Sequence, residues 1–188
     1  RTLTEKLNIT SEYIIINPNA SDLRIERRWP AQNFSKLIEN IIGKFPEKQI
    51  ALIGMSSEIE NVKNVLNGIS SSFQKSIINT CGRLTIKELI SLIHNTQLMI
   101  TNDTGPMHLA AAMGTPVVAL FGPADPRRYG PLAARQRVVR VDEGADPGHR
   151  QLHVCVHHHP RLFSARHRAG EPHRGGPWPA TARAAGAR

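Results

Sequence analysis

Short, unbroken runs of aliphatic residues alternate along this chain with segments of helical period, and that alternation leaves few architectures open. Tyr13-Ile14-Ile15-Ile16, closed by Asn17-Pro18-Asn19, reads as a buried strand followed by a loop. The loop runs through Ser21-Asp22 and the charged stretch 24–28 to Trp29-Pro30. A helix then carries Phe34, Leu37, Ile38, Ile41 and Ile42 on one face, until Gly43 and Pro46 stop it. The pattern repeats with the strand Ile50-Ala51-Leu52-Ile53, Gly54, and a helix capped by Ser57 with Ile59, Val62, Val65 and Leu66 inward. Ser76-Ile77-Ile78-Asn79 is a third strand. Thr85 caps the next helix with Glu88 completing a capping box, and Ile86, Leu89, Ile90 and Ile93 are expected inward. Leu98-Met99-Ile100-Thr101, a short helix over 106–113 and a strand over 116–120 complete the series.

Strands that are apolar throughout, rather than alternately, have to be covered on both faces, and intervening helices make such a sheet parallel. Right-handed crossovers then give an α/β, Rossmann-like doubly wound layout. Ligands of such sheets bind at the carboxyl ends of the strands. The loops to watch are therefore 17–30, 54–57, 79–85, 102–106 and 121–131. No GxGxxG follows the first strand, which disfavours a dinucleotide oxidoreductase. A length of 188 residues suits one cored domain and not two full-sized ones. The longest apolar runs, such as 116–121, fall far short of the roughly 20 residues that cross a bilayer. Cys81 and Cys155 are the only cysteines, too few for a disulfide framework and consistent with a reducing compartment.

The segment richest in chemistry is Thr101-Asn102-Asp103-Thr104-Gly105-Pro106-Met107-His108-Leu109-Ala110-Ala111-Ala112. A strand ends, the chain turns, and Pro106 opens a helix where its missing N–H costs nothing. The amides of Thr104 and Gly105 would point outward at the positive helix end, where anions bind. Gly105 would let a phosphate approach closely, the Thr104 hydroxyl would add a donor, and His108 on the first turn would reach the same ligand. Three alanines would keep the helix close to the sheet. The plainer alternative is an ordinary turn in which Asp103 or Thr104 only caps the helix.

This segment is followed by Gly114-Thr115-Pro116-Val117-Val118-Ala119-Leu120-Phe121-Gly122-Pro123-Ala124-Asp125-Pro126 and then Tyr129-Gly130-Pro131. Together they resemble the hallmark of glycosyltransferase family 9, the ADP-heptose:lipopolysaccharide heptosyltransferases. Pro18-Asn19-Ala20-Ser21 with Arg27-Arg28-Trp29-Pro30 resembles the family's upstream loop, and Gly82 with Leu84-Thr85 a further family turn. The likeness covers about residues 10–132. It implies the C-terminal, donor-binding half of a glycosyltransferase-B fold, serving inverting transfer of heptose from ADP-heptose, or a similar nucleotide sugar, to the lipopolysaccharide inner core.

Carried over by position, Ser21, Arg27, Asp103, Thr104, Gly105, Pro106 and His108 would hold the donor. Arg28, Met55, Ser56 and Leu84 are further candidates, with Met55, Ser56 and Glu58 on the nucleoside side. Arg27 stands where the family usually has Lys, which keeps the charge and adds a fork geometry. Arg27 and Arg28 have the alternative reading of a solvated charge run, and Trp29 that of a packing anchor. Asn19 stands where Gly is usual, and Asn tolerates left-handed backbone better than most residues. The resemblance puts the general base on an Asp of the N-terminal half, so no catalytic residue is expected here, and Asp103 stays a donor contact. No metal or other cofactor is implied. The acceptor would be met through the other half, on the cytoplasmic side, with peripheral association at the inner membrane left open.

The net charge of +9 suggests a nucleic-acid partner until it is located. Residues 1–132 hold 14 Lys/Arg against 11 Asp/Glu, and residues 133–188 hold 10 against 4. The excess thus sits in a last third with no Lys after Lys87, no Ile after Ile100 and no Asn after Asn102. That is a codon-composition shift, and stacking aromatics are lacking, so no nucleic-acid partner is expected. Arg137-Val138-Val139-Arg140-Val141 resembles the family's next strand, after which periodicity fails. His153, Cys155, His157, His158 and His159 suggest zinc, but adjacent histidines rarely share one tetrahedral site. Reading the codons of 157–163 one base later permits a family-like Cys/His stretch. The expected organisation is a linker remnant over 1–12, a donor domain over 13–132 and a poorly ordered, frame-shifted tail over 133–188. Such a fragment would be inactive alone; the alternative is a nucleotide-binding module without transferase activity.

Overall fold

A computed structural model describes residues 2–10 and 12–140. The chain runs α1 (Leu3–Lys6), β1 (Tyr13–Asn17), a 3-10 turn (Asp22–Arg27), α2 (Ala31–Lys44) and β2 (Gln49–Leu52). After a second 3-10 turn (Ser56–Glu58) come α3 (Ile59–Asn67), α4 (Ser71–Gln74), β3 (Ile77–Asn79), α5 (Ile86–Asn95) and β4 (Leu98–Asn102). The described part ends with α6 (Gly105–Ala112), β5 (Val117–Phe121), α7 (Pro126–Tyr129) and β6 (Gln136–Arg140). The six strands form one sheet in the order β3-β2-β1-β4-β5-β6, and every pair is parallel. The doubly wound α/β sheet expected from the apolar runs is therefore present, extended by β6 as an edge strand beside β5.

Strand geometry explains the continuous apolar runs, because successive side chains leave opposite faces. Ile14, Ile16, Ile50 and Leu52 pack with Phe34, Leu37, Ile38, Val62 and Val65 on one face. Ile15, Ala51, Ile53, Met99, Ala119 and Phe121 pack with Leu92, Ile93, Met107 and Ala110 on the other. A central strand with no solvent face has no position for a polar residue until it leaves the sheet. The first such positions, Asn17 and Thr101, stand beside each other in the β1–β4 register.

Three local expectations are corrected. Ser57 does not cap α3; the Glu58 carboxylate accepts the Met55 N–H at 2.7 Å, and the chain enters the helix through a 3-10 turn. The N-cap of α3 is Glu58 itself, which makes no side-chain capping bond. On α5 the capping box of Thr85 and Glu88 forms as expected. The buried residues, however, are Leu92 and Ile93, whereas Ile86 is 64% exposed at the helix start. On α6, Met107 and Ala110 face the sheet while Ala112 lines a cleft, so only part of the alanine stretch serves close packing. The segment expected as a linker contains α1, tied to α5 by a Lys6–Glu88 ion pair of 2.6 Å. That bond, with those from Thr85, holds the Glu88 carboxyl down to about 2. Of the tail expected over 133–188, residues Gln136–Arg140 form β6 of the sheet, and the part from 141, including the histidine-rich stretch and the frame-shifted reading, lies outside the described residues.

The order of strands reverses between β1 and β4. From β1 the chain winds toward β3, then returns to build β4, β5 and β6 on the other side. The loops leaving the carboxyl ends of β1 and β4 therefore part to opposite faces and leave a crevice between them. Phe34, fully buried, sits beneath the first of these loops with Trp29 edge-on at 5.0 Å. Phe34→Ala is expected to destabilise the protein by about 3–5 kcal/mol in urea unfolding and to shift Trp29 emission. A change within about 0.5 kcal/mol would mean that this helix does not carry the core.

Candidate nucleotide site at the strand switch point

At this carboxyl edge of the sheet lies a cleft of about 800 Å3, reached from β1 by Asn17. The loop after β4 and the start of α6 supply Thr104, Gly105, Pro106 and His108; the loop after β2 supplies Gly54, Met55, Ser56 and Glu58. Leu84, Thr85, Ile86 and Leu89 form the third side. Thr104 occupies the N-cap of α6 without a side-chain capping bond, and Asp103 is engaged elsewhere. Neither residue therefore acts as the simple cap of the plainer reading. The first-turn amides of a helix have no intrahelical acceptor, and here they open on the cleft with the positive end of the helix dipole.

Arg27 comes from the opposite side of the crevice. Its guanidinium stands 3.1 Å from Asp103 Oδ2, and it also lies 6.0 Å from the Tyr129 ring centre. Burial raises the Asp103 carboxyl above its ordinary range, against the opposing charges of Arg27 and His108. Although the pair is close, no N–H is aligned on Oδ2, which is buried without a hydrogen bond. The attraction is thus coulombic, and the guanidinium, 27% exposed, keeps donors for another anion. Gly122 lies against this loop, where a Cβ would stand 3.0 Å from the Glu26 carbonyl and would require a small shift of one segment.

The residues chosen from sequence separate into those the fold brings together and those it does not. Thr104, Gly105, Pro106 and His108 line the cleft, and Arg27 meets Asp103 beside them, although neither of these two is among the cleft-lining residues. Met55, Ser56 and Leu84 line the same cleft. Arg28 turns back onto its own loop, donating to the Ala20 carbonyl at 2.9 and 2.5 Å. Ser21 is exposed and is not among the cleft-lining residues. Trp29 packs on Phe34 as an anchor under the loop.

Asn19 corrects another expectation: among the described residues only Asn8 has a positive φ outside glycine, so the turn at Asn19 uses ordinary backbone. Its side chain is the working part. The amide donates to Ile53 O at 2.9 Å and to Asn17 Oδ1 at 3.2 Å, and its oxygen accepts from Asn61 at 2.8 Å. This joins the loop after β1 to β2 and α3. A Cβ on Gly54 would fall 2.5 Å from that amide and 2.7 Å from Cys81 Sγ, so the glycine is required for the three loops to converge. The Cys81 thiol donates to Met55 O, and burial, helped by the Glu58 charge, lifts its pKa to about 11. Sequence reasoning missed this asparagine network, including Asn102. Its only signal was four asparagines at strand ends and at a helix start, a position where polar groups need partners.

The raised Asp103 carboxyl gives a signed prediction. The folded state binds this proton more tightly than the unfolded state, so stability declines as pH rises from about 3.9, the unfolded value, through the raised folded value. Asp103→Asn is expected to remove that decline, so the difference in urea midpoint between variant and parent should change across pH ~3–7. Parallel midpoints would mean that the Asp103 carboxyl titrates normally.

The described chain resembles known proteins over most of this region. The family model for glycosyltransferase family 9 (heptosyltransferase) matches residues 2–157, wider at both ends than the motif-based likeness. Lipooligosaccharide heptosyltransferase 2 of Haemophilus influenzae is 30% identical over 118 residues, covering 63% of this chain and 34% of that protein. Lipopolysaccharide heptosyltransferase 2 of Salmonella typhimurium is 32% identical, with 63% and 33% covered. The structure of Escherichia coli ADP-heptose lipopolysaccharide heptosyltransferase II superposes with a TM-score of 0.70 at 28% identity, over 76% of this chain and 43% of that one. The chain thus spans about a third of the length of the curated relatives it matches. With the sheet order, the Asp103–His108 turn and the family match in agreement, this chain belongs to glycosyltransferase family 9, the heptosyltransferases.

Proposed function

We propose that the described residues form the donor-binding half of a glycosyltransferase that moves heptose from ADP-heptose, or a closely similar nucleotide sugar, to the lipopolysaccharide inner core. The observation that carries this reading is the contact of Arg27 with Asp103, the residue before the uncapped start of α6, whose Thr104 and Gly105 line the cleft. The diphosphate would lie against the Thr104 and Gly105 amides with the Arg27 guanidinium over it. His108 and Asp103 would face the sugar side, and the nucleoside would occupy the apolar part beside Met55, Ser56 and Leu84. Heptosyl transfer breaks the bond between the sugar and the diphosphate, and negative charge grows on the departing ADP. Fixed amides and a guanidinium in a low-dielectric crevice stabilise that charge without reorganising. The acceptor site and the base that takes its hydroxyl proton would come from the other half of a two-domain enzyme. The site of action would be the cytoplasmic side of the inner membrane, with peripheral association. Among the described residues no helix is long and apolar enough to cross a membrane.

Calorimetric titration of the chain with ADP and with ADP-sugars tests this reading. Binding of ADP is expected, and Arg27→Ala is expected to weaken it about 10- to 100-fold, the range for a hydrogen bond to a charged group. No turnover of ADP-heptose onto a core acceptor is expected from the chain by itself. Absence of ADP binding, or full affinity in Arg27→Ala, contradicts the site; transfer by the isolated chain contradicts the assignment of the base to the other half.

A further inference from the structure

The two ends of the loop after β1 are held by the same side chain. The carboxamide of Asn102, the last residue of β4, is completely buried. Its Oδ1 accepts the Trp29 N–H at 3.2 Å, and its Nδ2 donates to the Asn19 carbonyl at 3.3 Å. Asn19 and Trp29 are the two feet of the loop that carries Arg27. Their partner is one residue away from Asp103, which the guanidinium faces, and two from Thr104, the N-cap of α6. One planar amide with both a donor and an acceptor thus closes the loop and fixes it to the strand that delivers the helix amides. An aliphatic residue would leave both backbone groups without this partner, and an acid or a hydroxyl would not match both at that span.

We propose that Asn102 is a positioning residue for the nucleotide diphosphate: it acts through Arg27, by setting the height of the guanidinium over the start of α6, and touches no ligand itself. This rests on the donor-site reading above. The cation and the helix amides belong to segments far apart in the chain, and their spacing has to match one diphosphate. Errors of about 1 Å at such a site cost heavily in affinity and rate. The Arg28 bonds to Ala20 O brace the loop internally but do not join it to β4. The Asn102 carboxamide, by contrast, reaches both ends of the loop from β4 itself.

The test is a double-mutant cycle in the 188-residue chain, with ADP and adenosine as ligands and calorimetry as the readout. Asn102→Ala is expected to weaken ADP binding about tenfold. In the Arg27→Ala background the same change is expected to weaken ADP by under about twofold, because the group being positioned is gone. Adenosine, which has no phosphate, should bind parent and variant within about twofold. A general loosening of the fold would weaken all three alike. Asn102→Ser, which keeps a small polar group at the site, carries the same cycle if the alanine variant does not fold. Equal losses in both backgrounds, unchanged ADP affinity, or a matching loss for adenosine would overturn the proposal. Failure of the parent chain to bind ADP would instead overturn the donor-site reading on which it rests.

Discussion

The Arg27–Asp103 ion pair joins two loops that the sheet sends to opposite faces, and the rest of the site is arranged around that crossing. Asp103 is almost fully enclosed, and desolvation of a carboxylate is costly unless a cation stands near it. The fold does not finish the compensation: Oδ2 accepts no hydrogen bond, and the carboxyl remains above its ordinary range. An anionic ligand at the same guanidinium would accept from the donors that Oδ2 leaves unused. A site of this kind keeps its cation in place while the crevice is open.

That crossing exists because of the core. Burial of both faces of β1 and β4 leaves Asn17, Thr101 and Asn102 as the first polar side chains, all of them buried at the sheet's carboxyl edge. Buried amides need partners, and they find them in each other and in the loops: Asn17 to Thr101, Asn19 to Ile53, Asn61 to Asn19, Asn102 to Trp29. The hydrophobic effect selects the sheet, and the polar residues at its end select where each loop sits. Gly54 and Gly122 lie where the loops meet.

Much of this was legible from the residues in order. Runs such as Ile14-Ile15-Ile16 announce a two-sided sheet because every position has the same environment, and the Asp103-Thr104-Gly105-Pro106 turn announces a helix start because proline and glycine fix the backbone. Errors arose where the local pattern fitted more than one arrangement. Ile86 and Leu92 both fit an inward face of α5, and only the cleft beside the helix start decides that Ile86 stays exposed. At the start of α3 the 3-10 turn shifts the N-cap by one residue, from Ser57 to Glu58. The asparagine links could not be read at all, since the partners of Asn102 lie 73 and 83 positions away. Period and turn chemistry report on neighbours; a clamp between loops does not.

The central claim is that one anion meets the main chain at the start of α6 and the side chain of Arg27 together. Backbone and arginine side-chain NMR of the isotopically labelled chain tests it most directly, with ADP and adenosine added in parallel. The account predicts that ADP moves the Thr104 and Gly105 amide signals and the Arg27 Nε signal at one common affinity, while adenosine leaves all three in place. Shifts confined to other parts of the sheet, or amide and arginine signals that respond at different ADP concentrations, would contradict it.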